Sequence, residues 1–297
     1  MLNETNVNCF LTLAETLNFT KTAKLLFMTQ QSVSKHIARL EGELGFPLFE
    51  RTHHYVVLTP AGERCREMFS RFRQEFRTVV EESRAQYGQL SHLLRVGYLE
   101  WLRLGDAPAR ALKLLQDEVP EVELVTERYA YGTLSHLLRE GDLNLIVTYE
   151  SFASQIEGVE HVTLLQIPMV ILISPHHPKA VEGARWTDFE GETFLCAANE
   201  NESVTDTEKR ARRDIKRLRI PGCPIQVCPN RESAFAAAEM GQGLLLSTPL
   251  SLVTRGYGLN TYETDEMESL VCMWRRETEN GLADCYARCL RQAYGVE

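Results

Sequence analysis

The stretch FTKTAKLLFMTQQSVSKHIARLEGELG, residues 19–45, decides how the first third of the chain folds. Phe19 to Leu26 has the length of a short helix with Ala23 and Leu26 inward, and Met28-Thr29-Gln30 is a short polar break. From about Gln31 to Leu44 the apolar positions Val33, Ile37, Leu40 and Leu44 recur at steps of four, three and four, and Gly45 supplies a stop. Upstream, Val7, Phe10, Leu11, Ala14 and Leu17 keep the same helical period. Three short helices with a tight break between the second and third form a helix-turn-helix pattern.

Downstream, beyond Pro47-Leu48-Phe49, His53 to Thr59 reads as a small β-ribbon, because Tyr55, Val57 and Thr59 alternate with Val56 and Leu58. Pro60-Ala61-Gly62 closes it, which makes it a wing. From Ala61 to about Leu90 a long helix carries the stripe Met68, Phe72, Phe76, Val79, Ser83, Tyr87 and Leu90, with Arg64, Arg66, Arg71, Arg73, Arg77 and Arg84 around it. A small head cannot bury a stripe of that length, so a partner helix, and hence a dimer, is expected.

After residue 91 short apolar strands alternate with helices. Strands are expected at Leu93 to Tyr98, Val122 to Arg128, Leu143 to Tyr149, Ile167 to Ser174, Phe194 to Ala197, Ile225 to Cys228 and Leu244 to Ser247. Helices are expected at Pro108 to Glu118, Gly132 to Glu140, Thr205 to Leu218 and Glu232 to Met240. This alternation predicts α/β units with central sheets, and two such sets predict two lobes with a cleft.

The 297 residues hold 32 Lys+Arg against 41 Asp+Glu, a balance of −9 that argues against phosphate recognition when taken as an average. Split at residue 91, the first part holds 11 basic and 10 acidic residues and the remainder 21 and 31. The acidity therefore belongs to the residues after 91, outside the helix-turn-helix and its wing. Eight scattered cysteines without a CxxC pair, behind a polar and acidic start, are expected to be reduced thiols in a cytoplasm. No apolar run approaches the roughly 18 residues of a membrane span.

Four ordered segments carry a family resemblance: Phe19 to Leu26, Thr29 to Ile37 with Leu40-Glu41, Leu44 to Arg51, and Leu58 to Gly62. Together they resemble the LysR-type transcriptional regulators. A weaker match continues through Arg139 to Leu145, His177-Pro178, and Met240 to Gly243 with Pro249, so the resemblance covers the whole chain. It implies an α/β protein with a winged head: a winged helix-turn-helix over 1–60, a dimerising linker helix over 61–91, and a two-lobed effector domain over 92–297 like the periplasmic binding proteins. Lobe I is expected at about 92–165 and 265–297, and lobe II at about 166–264. The implied partners are double-stranded DNA, a small-molecule effector, and further copies of the chain in a homodimer or homotetramer. This sequence departs from the family at Thr22 (usually Ala), Gln31 (usually Pro), Asn144 (usually Asp) and His54, where the wing normally carries Arg.

Of helix three, only the N-terminal half offers outward side chains long enough to read bases, and a recognition helix uses that half. Gln30 or Gln31 suits adenine N6 and N7, and Lys35 suits guanine O6 or N7. Thr29, Ser32, Ser34 and Arg39 are phosphate candidates, as are Arg51 and, more weakly, His53 and His54 of the wing. The family places its effector in the cleft, which maps here to Leu99, Glu100 and Trp101, to Tyr129, Ala130 and Tyr131, to Thr148 and Tyr149, and to Asn199 through Ser203. Glu100 stands where many members have a small hydroxyl residue, and its charge favours an aromatic, amine-bearing or neutral effector over a plain anion.

Two other classes compete, a cytosolic small-molecule-binding module and an enzyme on the two-lobed domain. The helix-turn-helix with its wing argues against the first. Against the second, the sequence holds no Walker loop, H-E-x-x-H or G-x-S-x-G, and Gly241-Gln242-Gly243 follows a helix and lacks the third glycine of a dinucleotide loop. No cofactor is expected. Cys285 and Cys289, one helical turn apart, read as core.

Overall fold

A computed structural model describes residues 3–51, 56–86, 92–153, 156, 158–199, 202–251, 258–275 and 281–295. The chain divides into two compact units, 1–91 and 92–297. No helix among the described residues is long and apolar enough to cross a membrane.

In the first unit, α1 (Glu4–Thr16), α2 (Phe19–Leu25) and α3 (Gln30–Leu44) pack round a core that includes Phe10, Leu13, Val33, Ile37, Leu40 and Leu48. Each helix starts where a side chain takes up a free backbone N–H. Asn3 accepts from Thr5 N, Asn18 from Thr20 N and Lys21 N, and Thr29 from Ser32 N. That last cap starts α3 at Gln30, one residue before the position read from the sequence. The second helix ends at Leu25, which is buried, while Leu26 is only partly so. Thr22 is accommodated inside because its hydroxyl meets Thr16 Oγ1 at 2.7 Å and Asn18 O at 3.0 Å.

The ribbon pairs β1 (Phe49–Arg51) antiparallel with β2 (Val56–Leu58), so its first strand lies before the expected start at His53. Residues 52–55, with His53, His54 and Tyr55, lie outside the described residues. Glu41 fixes the entry to this ribbon: Oε1 accepts from Leu48 N (2.9 Å) and Phe49 N (3.2 Å), and Oε2 pairs with Arg51. Thr59 fixes the exit, donating to Pro47 O and accepting from Gly62 N, both at 2.9 Å. A Cβ at Gly62 would stand 2.2 Å from Leu48 O, so only glycine allows α4 (Pro60–Gln86) to start against the ribbon.

The second unit is built on one eight-stranded sheet in the order β4-β3-β5-β10-β6-β9-β7-β8. One half is parallel: β3 (Leu93–Leu99) lies between β4 (Glu123–Tyr129) and β5 (Leu145–Tyr149). The other half is also parallel: β7 (Phe194–Ala197) lies between β8 (Ile225–Cys228) and β9 (Leu244–Ser247). An antiparallel ribbon joins them, made of β6 (Val159–Ile173) and β10 (Asn260–Arg275). The first half is covered by α5 (Ala107–Glu118), α6 (Tyr131–Glu140), the short α7 (Glu150–Ala153) and α10 (Leu282–Ala293), with a core around Val96, Leu138, Ile146 and Tyr286. The second half is covered by α8 (Val204–Leu218) and α9 (Arg231–Glu239), with a separate core on each face. A 3-10 turn at Trp186–Phe189 adds to the α8 face. Three apolar cores and a shared ribbon give the two-lobed architecture. Gly243 is needed at the entry to β9, where a Cβ would stand 2.3 Å from Thr193 O.

The strand register sets where the two halves meet. Tyr149, the last residue of β5, pairs with Leu270, which pairs with Leu165, and Ser247, the last of β9, pairs with Val170. β5 runs along the ribbon towards Val170 and β9 runs towards Leu165. The carboxyl ends of both parallel sets therefore face each other across the middle of the ribbon, where α/β sheets place their ligands.

Candidate functional site

Two surfaces concern function. In the first unit, α3 buries Val33, Ile37 and Leu40 and turns Gln30, Gln31, Lys35, Ala38 and Arg39 to solvent, with Ser32 and Ser34 half-buried on the flanks. Thr29 is exposed and its Oγ1 caps the helix. Gln30 Oε1 accepts from Thr20 Oγ1 at 3.4 Å, which steadies the break between α2 and α3. Of the cations, Lys35 stands clear of any ion pair among the described residues. Arg39 pairs with Glu43 at 3.2 Å on the exposed surface, where such a pair is weak. Arg51 is held more firmly: it pairs with Glu41 at 2.9 Å and stacks 5.0 Å over the Phe19 ring. His54 lies outside the described residues. His36 Nδ1 lies 2.8 Å from Oδ1 of buried Asn6, so that face of α3 is tied to α1 and faces away from solvent.

The second surface is the junction of the two lobes. The loop leaving β3 bridges to the loop leaving β9: Leu102 pairs with Ser251, and Arg103 N donates to Leu250 O at 2.7 Å. Tyr149 and Thr248 meet hydroxyl to hydroxyl at 2.6 Å, and burial pushes the Tyr149 phenol up. Arg231, the first residue of α9, lies with its guanidinium 5.1 Å from the Trp101 ring and 5.5 Å from the Phe235 ring. Its Nη2 donates to Ser247 Oγ at 3.0 Å and Ser251 Oγ at 3.3 Å.

The residues mapped to the cleft from sequence are brought together only in part. Trp101 lies in the arginine stack and Tyr149 closes the junction. Thr148 is fully buried beside it with no partner for Oγ1. Leu99 is fully buried in the first lobe's core. Glu100 is exposed on the turn, its backbone N–H bonded to Tyr129 O, and Arg128 donates to Leu102 O at 2.6 Å beneath it. Tyr129 is half-buried at the end of the edge strand β4. Tyr131 stacks on Phe152 and donates to its carbonyl at 2.6 Å. Ser203 caps α8 by accepting from Asp206 N, while Asn199 N donates to Glu202, which pairs with Arg210. Arg231, Ser247, Thr248 and Ser251 were not legible as site residues, because they converge only through the sheet.

All eight cysteines are free. Burial raises every one of them: Cys9 and Cys196 to about 11, and Cys285 to about 12, the last helped by the Glu118 carboxylate that accepts from its thiol. Thiols held protonated in this way are poor nucleophiles towards oxidants.

Comparison with known proteins bears on both surfaces. Residues 5–63 match the family model for the bacterial regulatory helix-turn-helix protein, lysR family, and residues 88–293 match the LysR substrate binding domain. The chain is 30% identical over 191 residues to an uncharacterized HTH-type transcriptional regulator, YwqM of Bacillus subtilis (strain 168), a match spanning 63% of each chain. It is 27% identical to the HTH-type transcriptional activator AllS of Klebsiella pneumoniae, over 85% of this chain and 92% of that one. In fold it resembles full-length CbnR, solved in complex with its target DNA, with a TM-score of 0.55 at 18% identity over 98% of this chain and all of that one.

Proposed function

Since the chain belongs to the LysR family of bacterial DNA-binding transcriptional regulators, we propose a division of labour in which residues 1–60 read operator DNA through α3, residues 61–91 join two copies, and residues 92–297 hold a small-molecule effector between their lobes. The effector then sets how the chain binds DNA or activates transcription. The reading places the protein in the cytoplasm, with the DNA it regulates. The observation that carries it is the outer face of α3, where Gln30, Gln31 and Lys35 project from the end of the helix that enters a major groove. The raised cysteines favour a bound effector over thiol oxidation as the signal. A free-standing small-molecule-binding module would leave that α3 face without a purpose.

A gel shift on the DNA upstream of the chain's own gene tests the proposal. Gln31→Ala and Lys35→Ala are each expected to weaken the specific complex by about ten- to hundred-fold, the worth of one good base contact. Lys35→Ala also weakens non-specific binding, whereas Gln31→Ala leaves it unchanged. Unaltered specific binding in both variants rejects α3 as the reading element.

A further inference from the structure

Helices α5 and α10 bring together three metal-ligating side chains that neither the DNA-reading helix nor the lobe junction uses. Cys285 and Cys289 stand one turn apart on α10, both buried, and Glu118 is the last residue of α5. The two Sγ atoms and a Glu118 carboxylate oxygen all lie within 4.8 Å of one another. The Cys285 thiol donates to Glu118 Oε2 at 3.1 Å. Reading the cysteines as core accounts for their burial and leaves the carboxylate aimed at them without a purpose.

Topology sets this cluster apart from the lobe junction. α5 leaves the carboxyl end of β3 and delivers the chain to the amino end of the parallel strand β4, so Glu118 lies at the far end of the strands from the junction. The 12 residues of α5 put about 18 Å between its two ends. Other contacts hold the two helices in place: Arg110 Nη2 donates to Ala293 O at 2.6 Å, and Tyr294 OH donates to Leu104 O at 3.3 Å. Ligands carried on helices fixed in this way are positioned before an ion arrives. Glu118 is half-exposed, which gives an ion a way in from solvent to the buried sulfurs.

The ligand types select the ion. Thiolates favour zinc and softer ions over magnesium or calcium, which prefer oxygen alone. With Zn–S near 2.3 Å and Zn–O of about 2.0–2.2 Å, tetrahedral ligand atoms stand roughly 3.6–3.8 Å apart, so side-chain movements of about 1 Å close the cluster round such an ion. Two thiolates and a carboxylate bring three negative charges to a divalent cation. Arg288, 3.3 Å from Glu118 Oε2 and 3.7 Å from Asp284, places a positive charge beside the one left over.

We propose that Glu118, Cys285 and Cys289 form a site for a thiophilic divalent ion of the zinc class, with water as the fourth ligand. Binding replaces the thiol–carboxylate hydrogen bond, sends both thiol protons to solvent and staples the end of α5 to α10.

The test uses the full chain, reduced and freed of metal with a chelator, with cobalt(II) as the spectroscopic stand-in for zinc. One equivalent per chain is expected to give a thiolate-to-metal charge-transfer band and the intense visible bands of a tetrahedral centre. Zinc(II) is expected to displace the cobalt and to raise the melting temperature, and magnesium to do neither. Cys285→Ser and Cys289→Ser each remove a ligand and are expected to weaken binding more than about hundred-fold, beyond the roughly 10–100-fold that loss of a supporting partner costs. Glu118→Gln, which leaves the core untouched, is expected to keep the sulfur band and to bind at least about ten-fold more weakly. Cys65→Ser, in the other unit, is expected to bind as the wild type does. The proposal is overturned if no charge-transfer band appears at one equivalent, if both serine variants or Glu118→Gln bind as tightly as the wild type, or if Cys65→Ser abolishes the band.

Discussion

Asp214 lies on α8 among Arg210, Arg213 and Arg217, which lower its pKa, yet burial outweighs them and raises the carboxyl from 3.8 to about 6. A native pKa above the unfolded value means that the folded chain holds the extra proton between about pH 4 and 6. The contribution to stability is therefore complete below pH 4 and is lost as the pH rises through 6, leaving a buried, incompletely compensated charge at neutral pH. Asp214→Asn removes that charge. Its melting temperature at pH 7.5 is expected to exceed the wild type's by roughly 2–5 °C, and the difference to vanish near pH 4. Equal melting temperatures at both pH values would show that the arginines hold Asp214 ionised throughout. Glu41 is the contrasting carboxylate, since two backbone N–H groups and Arg51 satisfy its oxygens where the chain enters the wing. The difference between the two acids is the number of donors aimed at each, which sequence position does not reveal.

Among the elements, α4 makes the strongest demand for a partner. Phe69 is buried against Phe10, while Met68 (45%), Phe72 (63%), Phe76 (60%) and Val79 (58%) stay exposed, with the Phe72 and Phe76 rings 6.2 Å apart. Burying one such side chain is worth about 1.5–3 kcal/mol, so a second α4 laid along this face gains several times that. The double variant Phe72→Glu/Phe76→Glu is expected to convert a dimer to a monomer in light scattering at micromolar concentration, and to weaken operator binding with it. A dimer that survives both charges would move the interface off this face. The stripe was legible because helical period and excess length both show in sequence, although Tyr87 and Leu90 lie outside the described residues. Strands 194–197, 225–228 and 244–247 were equally legible as short apolar runs between turn residues. The ribbon strand β10 was not, because its first half, Asn260 to Ser269, is polar and partly exposed and resembles a loop until its pairing with β6 is known. The early part of β6, from Val159, was hidden for the same reason. Arg231 is illegible in sequence on a longer scale still, since its surroundings depend on Trp101, which only the fold brings near.

At the scale of the whole molecule, charge is unevenly placed within as well as between the two units. The acidic second unit carries seven of its basic residues between Lys209 and Arg219, with Asp214 the one acid among them. Arg212, Arg213, Lys216 and Arg219 are exposed there. Two surfaces therefore compete for phosphate, the nearly neutral head and this basic stretch, and net charge cannot rank them. Counterion release can, because each neutralised phosphate contributes about −0.9 to the slope of log K against log salt. Within residues 3–60, Lys21, Lys24 and Lys35 make no ion pair among the described residues, whereas Arg39 and Arg51 are paired with Glu43 and Glu41. Three cations on each of two heads give an expected slope of roughly −5 for the full-length dimer. Lys35→Ala should bring it to roughly −4, since one contact is lost from each half-site. A slope steeper than about −9 that relaxes when Arg212, Arg213 and Lys216 are changed to Gln would instead assign phosphate contacts to α8. An unperturbed slope in that triple variant assigns the phosphate contacts to the head rather than to α8, and the net acidity of residues 92–297 then disfavours their own contact with phosphate.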